Sequence, residues 1–359
     1  MTDEYRGAPP RDPGLAGAWP EALDGPVDEA EGEGPDEAPA ELRVGQVAPA
    51  EHGERLDRWL ARLAPEFSRS HVQTLIAQGE ATIDGRPATT PAKRLLAGQQ
   101  LALRLVPTPQ SQAFRPEPLP LAIVHEDESL MVVDKPVGLV VHPAAGHWSG
   151  TLLNGLLAHH AGASALPRAG IVHRLDKDTS GLMVVAKTLA AQTALVRAIA
   201  AREVHREYLA LAHGLPPPTG TIDAPIGRDP ASRVRMAVVA GGKPARTDIE
   251  RLGGVAEAGP RGVSLLRCLL HSGRTHQIRV HLAHRGHPLL ADAVYGGAPA
   301  AGLQRQALHA RVLSLVHPLS GRRLRCVAPP PADLLAAVTT LGLQAALPAD
   351  PPGVHWEAS

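Results

Sequence analysis

The chemistry of this chain has to come from a carboxylate, an arginine, a tyrosine and a basic surface. Asp176 stands in the turn sequence HRLDKDTSGL (173–182). Asp, Ser and Gly are ordinary turn residues, favoured for local hydrogen bonding and for positive φ, so the loop by itself is compatible with a plain turn. Asp176, Asp178, Ser180 and Gly181 also fall at positions one, three, five and six of a calcium loop, but the twelfth position, which needs a bidentate Glu, is Lys187. An ammonium cannot ligate calcium. The stretch SGRTHQIRVHLAHRGH (272–287) holds His276, His281, His284 and His287 among Arg274, Arg279 and Arg285. The HExxH spacing of a zinc helix is missing, and histidines interleaved with arginines read as surface residues or as residues facing a polyanion. Tyr208 lies in REYLALAHG (206–214), where a lone strand tyrosine is ordinarily core. DKPVGLVVHP (134–143) reads alone as a turn around Gly138. A Walker loop, GxGxxG and a GxSxG elbow are absent from the sequence, which removes the usual signatures of phosphoryl transfer, dinucleotide binding and serine hydrolysis. The remaining set suits covalent or acid–base work by a carboxylate at a sugar carbon.

Charge distribution supports a polyanionic partner. The formal net charge is zero, yet residues 1–42 hold twelve acidic residues against Arg6 and Arg11, leaving a body with 34 basic and 24 acidic residues. An acidic tail joined to a basic body fits a polyanionic partner, with solvated surface charge as the plain alternative. Aromatic residues make up 3% of the chain, too few for a multi-aromatic stacking platform. Cys268 and Cys326 form neither a CxxC pair nor a bridge framework, which suits a reducing compartment. The N-terminus lacks an apolar signal core and no apolar run reaches the ~18 residues of a membrane span, so a soluble, cytoplasmic protein without membrane contact is expected.

The elements that must position these residues read as α+β. Residues 1–42, rich in Pro, Gly and Glu, are expected to stay disordered. Leu56, Trp59, Leu60 and Leu63 fall on one helix face. Ser68 or Ser70 can cap a second helix with Val72, Leu75 and Ile76 inside, and ATIDGRP reads as a hairpin around Asp84-Gly85. An apolar stretch from Gln100 to Val106 closes this unit, 43–106. Residues 107–118 look like a linker. A catalytic unit over 119–340 follows, with short β-branched runs (LAIVH, LMVVDKP, GLVVHP, LMVVAKT), a helix over Leu189–Arg202 and a strand over Glu207–Ala212. Residues 341–359, rich in Pro and Asp, are expected to fray.

Taken in order, KPVGLVVHP (135–143), HRLDKDTSGLMVVAKT (173–188), REYLALAHG (206–214) and GRTHQIRVHLAH (273–284) resemble the ribosomal large-subunit pseudouridine synthases of the RluA family, closest to its D-type branch. RLDRWL, SRSHVQTLI and IDGRP within residues 53–106 are similar to an S-four-type RNA-binding module. The resemblance implies a mixed, largely antiparallel sheet flanked by helices, preceded by a small α/β-loop module. It implies isomerisation of uridine to pseudouridine in RNA, without cofactor or metal, with a stem-loop of 23S-type ribosomal RNA as the expected substrate. Alternatives are the same isomerase acting on tRNA, or a non-catalytic RNA-binding or ribosome-assembly factor. Asp176 is then the catalytic carboxylate, either attacking the ribose anomeric carbon or removing a ribose 2′ proton. Arg274 matches the arginine that pairs with it, and Tyr208 the tyrosine that stacks on the uracil and assists loss of the C5 proton. Arg174 would fill the vacated stack or grip phosphate, Lys135 would shape the pocket floor, and Arg55, Arg58, Arg69, His71, Arg86 and Lys93 would contact RNA in the small module. Arg206 stands where many relatives carry Lys. A monomer is expected.

Overall fold

The computed structural model describes residues 41–106, 113–144, 147–232 and 235–357, and residues 1–40, where the disordered tail is expected, lie outside it. The chain divides at Val106 into two compact units. In the first, the strands β1 (Glu41–Gln46), β2 (Ala81–Ile83), β3 (Arg86–Pro87) and β4 (Gln100–Leu105) form one antiparallel sheet in the order β1-β4-β2-β3. The helices α1 (Leu56–Leu63) and α2 (Arg69–Ala77) bury Leu56, Leu60, Val72, Leu75 and Ile76 against Leu101 and Leu103. Ser68 caps α2 by accepting from the His71 N–H at 3.3 Å. Asp84 and Gly85 both take positive φ, 50° and 76°, as the two-residue hairpin between β2 and β3 requires. Glu41 and Leu42, expected at the end of the disordered tail, instead pair with Leu105 and Arg104, because a free edge of β4 gives their backbone groups partners.

The second unit is built on a ten-stranded sheet. Its strands are β5 (Ile123–Glu126), β6 (Leu130–Lys135), β7 (Ser180–Ala186), β8 (His205–His213), β9 (Thr219–Asp223), β12 (Arg246–Val255), β13 (Val263–Leu270), β14 (Leu308–Val316), β15 (Arg323–Val327) and β16 (Gly353–Glu357), while β10 (Ile226–Arg228) and β11 (Met236–Val238) make a separate pair. Four helices flank it: α3 (Leu152–His159), α4 (Leu189–Ala200), α5 (Gln277–His284) and α6 (Ala332–Thr340). The period-two alternation of strands assigns their sides. In β8, Tyr208, Ala210 and Ala212 join a core with Leu156 of α3 and Ile278 and Leu282 of α5, whereas Leu209 and Leu211 meet Leu334 and Val338 of α6. In β7, Met183 and Val185 enter the first core, while Leu182 and Val184 meet Leu195 of α4. The sheet is mixed, as the resemblance implies: β14 runs antiparallel to β8 and β15 but parallel to β7 at His309–Ala310.

Three expectations are corrected. GLVVHP is not a strand. Leu139 and Val141 are buried, but the Leu139 carbonyl is claimed by the Lys135 ammonium instead of a neighbouring strand. The expected linker is anchored in its described part, since the Asn154 amide donates to the Ala113 and Arg115 carbonyls and the Glu117 carboxylate accepts from Gly150. The C-terminal residues do not fray. β16 pairs along β15, and Arg311 and Arg325 hold Asp350 at 3.0 and 3.1 Å. Pro and Asp hide a short strand from composition, because the ladder and the ion pairs that hold it come from distant residues.

Candidate active site

Asp176 lies in the loop that enters β7, and that loop is secured by backbone carbonyls. Its own carbonyl accepts from the Thr179 N–H at 3.1 Å. Lys135, fully buried at the end of β6, donates to the carbonyls of Pro136 (2.7 Å), Leu139 (3.0 Å) and Lys177 (2.9 Å). One side chain thus stitches the KPVGL turn to the aspartate loop. Burial pulls the Lys135 pKa down to about 7, while three carbonyl acceptors match the three donors of an ammonium. Arg305 adds bonds to the carbonyls of Asp178, Gln306 and Leu308. At Gly181 the chain takes φ +113°, and a Cβ there would sit 2.2 Å from the Ala310 carbonyl oxygen. Glycine is therefore what lets β7 close on β14 directly after the aspartate turn.

The Asp176 carboxylate is 17% exposed and faces a cavity of about 580 Å³. Its partner is Arg279, which donates from Nη1 to Asp176 Oδ2 at 2.9 Å. The rest of that guanidinium is committed to the buried Asp292, from Nε at 2.8 Å and Nη2 at 2.9 Å, and it lies 5.1 Å from the Tyr295 ring centroid. Burial works against the Arg279 cation, but the Asp292 hydrogen bonds and the two carboxylate charges outweigh it and raise its pKa above the ordinary guanidinium value. His276 caps α5 in the left-handed conformation (φ 55°, ψ 24°), a strained position for a non-glycine residue. This places its Nε2 3.8 Å from Asp176 Oδ1 and its Nδ1 2.8 Å from the Tyr295 hydroxyl. Burial lowers the His276 pKa.

Arg274 is not the partner of Asp176. It stands in the turn before α5, exposed, with Nε on the Pro244 carbonyl at 3.2 Å and its backbone N–H on Gln277. The helix begins at Gln277, so Arg279 falls in the first turn, buried against the aspartate loop. Both arginines belong to RTHQIR, and nothing in residue type separates them. The deciding signal is the start of α5 and a carboxylate thirteen residues on, Asp292.

The remaining expected residues divide. Tyr208 lines the cavity, and burial pushes its pKa up to about 12, so the hydroxyl keeps its proton at neutral pH. Arg174 is exposed on the cavity wall. Lys135 is not a wall residue but a buried brace behind it. In the small unit, Arg55 and Arg69 pair with the fully buried Asp57 at 3.0 Å each; the Arg55 hydrogen bond leads in holding the Asp57 carboxyl well below the usual range. Arg58, Arg86 and Lys93 are exposed, and His71 is half-buried against Phe67. Among the described residues no group of three or more His, Cys, Asp or Glu is disposed to hold a metal, and His281, one of the four histidines of 272–287, is buried on Thr247 and the Ala224 carbonyl.

Six arginines (Arg168, Arg174, Arg202, Arg206, Arg274, Arg279) against the single carboxylate of Asp176 line the cavity. A cavity of this size falls in the range of small-molecule sites, its walls attract an anion, and the one carboxylate is left to act.

Comparison with known proteins agrees. Residues 129–284 match the RNA pseudouridylate synthase family and residues 54–101 match the S4 domain. The chain is 48% identical over 320 residues to "Ribosomal large subunit pseudouridine synthase D" of Neisseria meningitidis serogroup B, covering 86% of this chain and 84% of that one. It is 45% identical over 316 residues to the protein of the same name from Xanthomonas campestris pv. campestris, covering 84% and 92%. The solved structure of "Human RNA Pseudouridylate Synthase Domain Containing 1" is 27% identical, covers 68% of this chain and 93% of its own, and superposes with a TM-score of 0.48. Identity of 45–48% to the two bacterial relatives along most of each chain leaves one assignment: the chain belongs to the RNA pseudouridylate synthase family, enzymes that isomerise uridine within RNA, and carries an S4 domain ahead of its catalytic unit.

Proposed function

We propose that this protein converts a uridine of large-subunit ribosomal RNA to pseudouridine, with Asp176 acting at the ribose. The observation that carries the site assignment is the Asp176–Arg279 ion pair, 2.9 Å long, at a cavity that Tyr208 also lines. The names of the relatives in Neisseria and Xanthomonas support the ribosomal substrate. The reaction breaks the N1–C1′ bond, turns the uracil, forms C5–C1′, loses the C5 proton and gains a proton at N1. Asp176 either bonds to C1′ or takes the 2′ proton, and the Arg279 contact at 2.9 Å holds the carboxylate in one rotamer for either step. Tyr208 confines the detached base against the sheet, and its neutral hydroxyl assists loss of the C5 proton by passing its own proton on as it receives that one. A stacked nucleotide is out of reach, so the uridine is flipped from a loop at a cost of a few kcal/mol, and Arg174 fills the vacated stack or grips phosphate. The exposed Arg58, Arg86 and Lys93 of the S4 domain contact phosphates, which position RNA without reading its sequence. The ribosomal substrate supports a cytoplasmic location.

The test is release of tritium from large-subunit rRNA transcript labelled at uridine C5, with Asp176→Asn alongside. Release by the wild type alone supports the reading. Release by neither, or equally by both, removes it.

A further inference from the structure

Arg206 is the one cavity arginine that is buried yet has no partner to satisfy it. It lies on β8 two residues before Tyr208, hence on the same side of the strand, and is 5% exposed. Its Nε is buried without a hydrogen-bond partner, and no side-chain hydrogen bond or ion pair joins it to a described residue. The other buried cavity arginine, Arg279, is saturated by two carboxylates. Burial lowers the Arg206 pKa, but a guanidinium stays charged at neutral pH. An uncompensated buried charge costs several kcal/mol and is kept only where something repays it. Space is kept as well: Gly273 lies against the guanidinium, and a Cβ there would come within 2.8 Å of Arg206 Nη1.

We propose that Arg206 forms an anion subsite in the cavity, taking a non-bridging oxygen of the backbone phosphate directly 5′ or 3′ of the flipped-out uridine. The planar fork of guanidinium donors fits a phosphate better than an ammonium does. The counter-charge that the fold omits thus arrives with the substrate, and a uridine is seated only when its backbone is threaded past β8. This rests on the RNA-isomerase reading above.

The experiment uses a synthetic stem-loop containing the uridine that the wild-type protein converts, with the 5′ or the 3′ linkage replaced in turn by a neutral methylphosphonate. Wild-type conversion of the unmodified RNA establishes the isomerase independently of this proposal. One neutral linkage is expected to lower wild-type kcat/KM about 10- to 100-fold, the worth of a charged hydrogen bond. Arg206→Gln is expected to lose a similar factor on unmodified RNA and to be indifferent to that linkage, and Arg206→Lys to regain part of both. Gly273→Ala, which keeps the charge but crowds the guanidinium, supplies the same comparison if Arg206→Gln does not fold. Losses that simply multiply at both linkages, or a wild type insensitive to either, overturn the subsite. So does an Arg206→Gln protein with KM unchanged and an altered pH profile of kcat, which would make Arg206 a positioning residue for Tyr208.

Discussion

Replacing Arg279 by Gln should damage stability and turnover together, whereas Arg274→Gln should damage neither. Arg279 is 6% exposed on its side chain and gives three hydrogen bonds to Asp176 and Asp292, the latter fully buried. Removing one partner of a buried ion pair costs about 3–5 kcal/mol because the other charge stays behind. At about 2–4 °C per kcal/mol for a unit of this size, the melting temperature should fall by about 6–20 °C. Turnover should fall by about 10²-fold or more in the surviving folded protein, since Asp176 loses the contact that fixes its rotamer. Arg274 is exposed and bonds one carbonyl, so its replacement should change stability by no more than about 0.5 kcal/mol and leave kcat intact, with any loss confined to KM through RNA contact. Thermal melting of the full chain and tritium release on the same preparations decide it. An Arg279→Gln protein that melts and turns over like wild type, beside a stable Arg274→Gln protein with kcat abolished, would refute the pairing and the reasoning from burial.

Three further outcomes are expected. Asp176→Asn should abolish tritium release while RNA affinity in a filter-binding titration stays near wild type, and residual turnover at a tenth of wild type or more would exclude it as the acting carboxylate. Tyr208→Phe should lower kcat about 10²- to 10⁴-fold, the range of a proton-transfer group, with little change in KM; an unchanged kcat would leave packing of the base as its only contribution. Buried histidines should make the fold acid-labile before the carboxylates titrate. Burial holds His309 near pH 4 and His173 near pH 3, so the unfolded chain, at about 6.5, takes up protons first. Stability from these groups is complete above pH 6.5 and is lost as pH falls toward 4, about 2 kcal/mol for His309 alone by pH 5. His309→Gln should flatten the urea midpoint between pH 7 and 5 by that share, and a wild-type midpoint that does not move over this window would count against the neutral buried imidazole.

Local pattern was enough for the elements of the S4 domain. Leu56, Trp59, Leu60 and Leu63 at helical spacing, a serine cap and an Asp-Gly turn each report their own conformation, because a helix face and a two-residue hairpin are set by residues within a few positions. The same holds for the aspartate turn and for Tyr208 on its strand. β16 was not legible, since its pairing to β15 and the grip of Arg311 and Arg325 on Asp350 arise from residues far off in the chain. Lys135 read as pocket floor and proved to be a brace, because only folding brings the Lys177 carbonyl beside it.

By itself the sequence determined the chemistry available: a carboxylate in a tight turn, a tyrosine two residues after an arginine, and a basic body around them. Which arginine meets the carboxylate was decided by tertiary structure. Arg274 and Arg279 are the same residue type five positions apart, and the start of α5 at Gln277 turns one outward and buries the other between Asp176 and Asp292. Charge in a sequence is a list. Its partners depend on which charges lose their water together, and that is fixed only when distant segments pack.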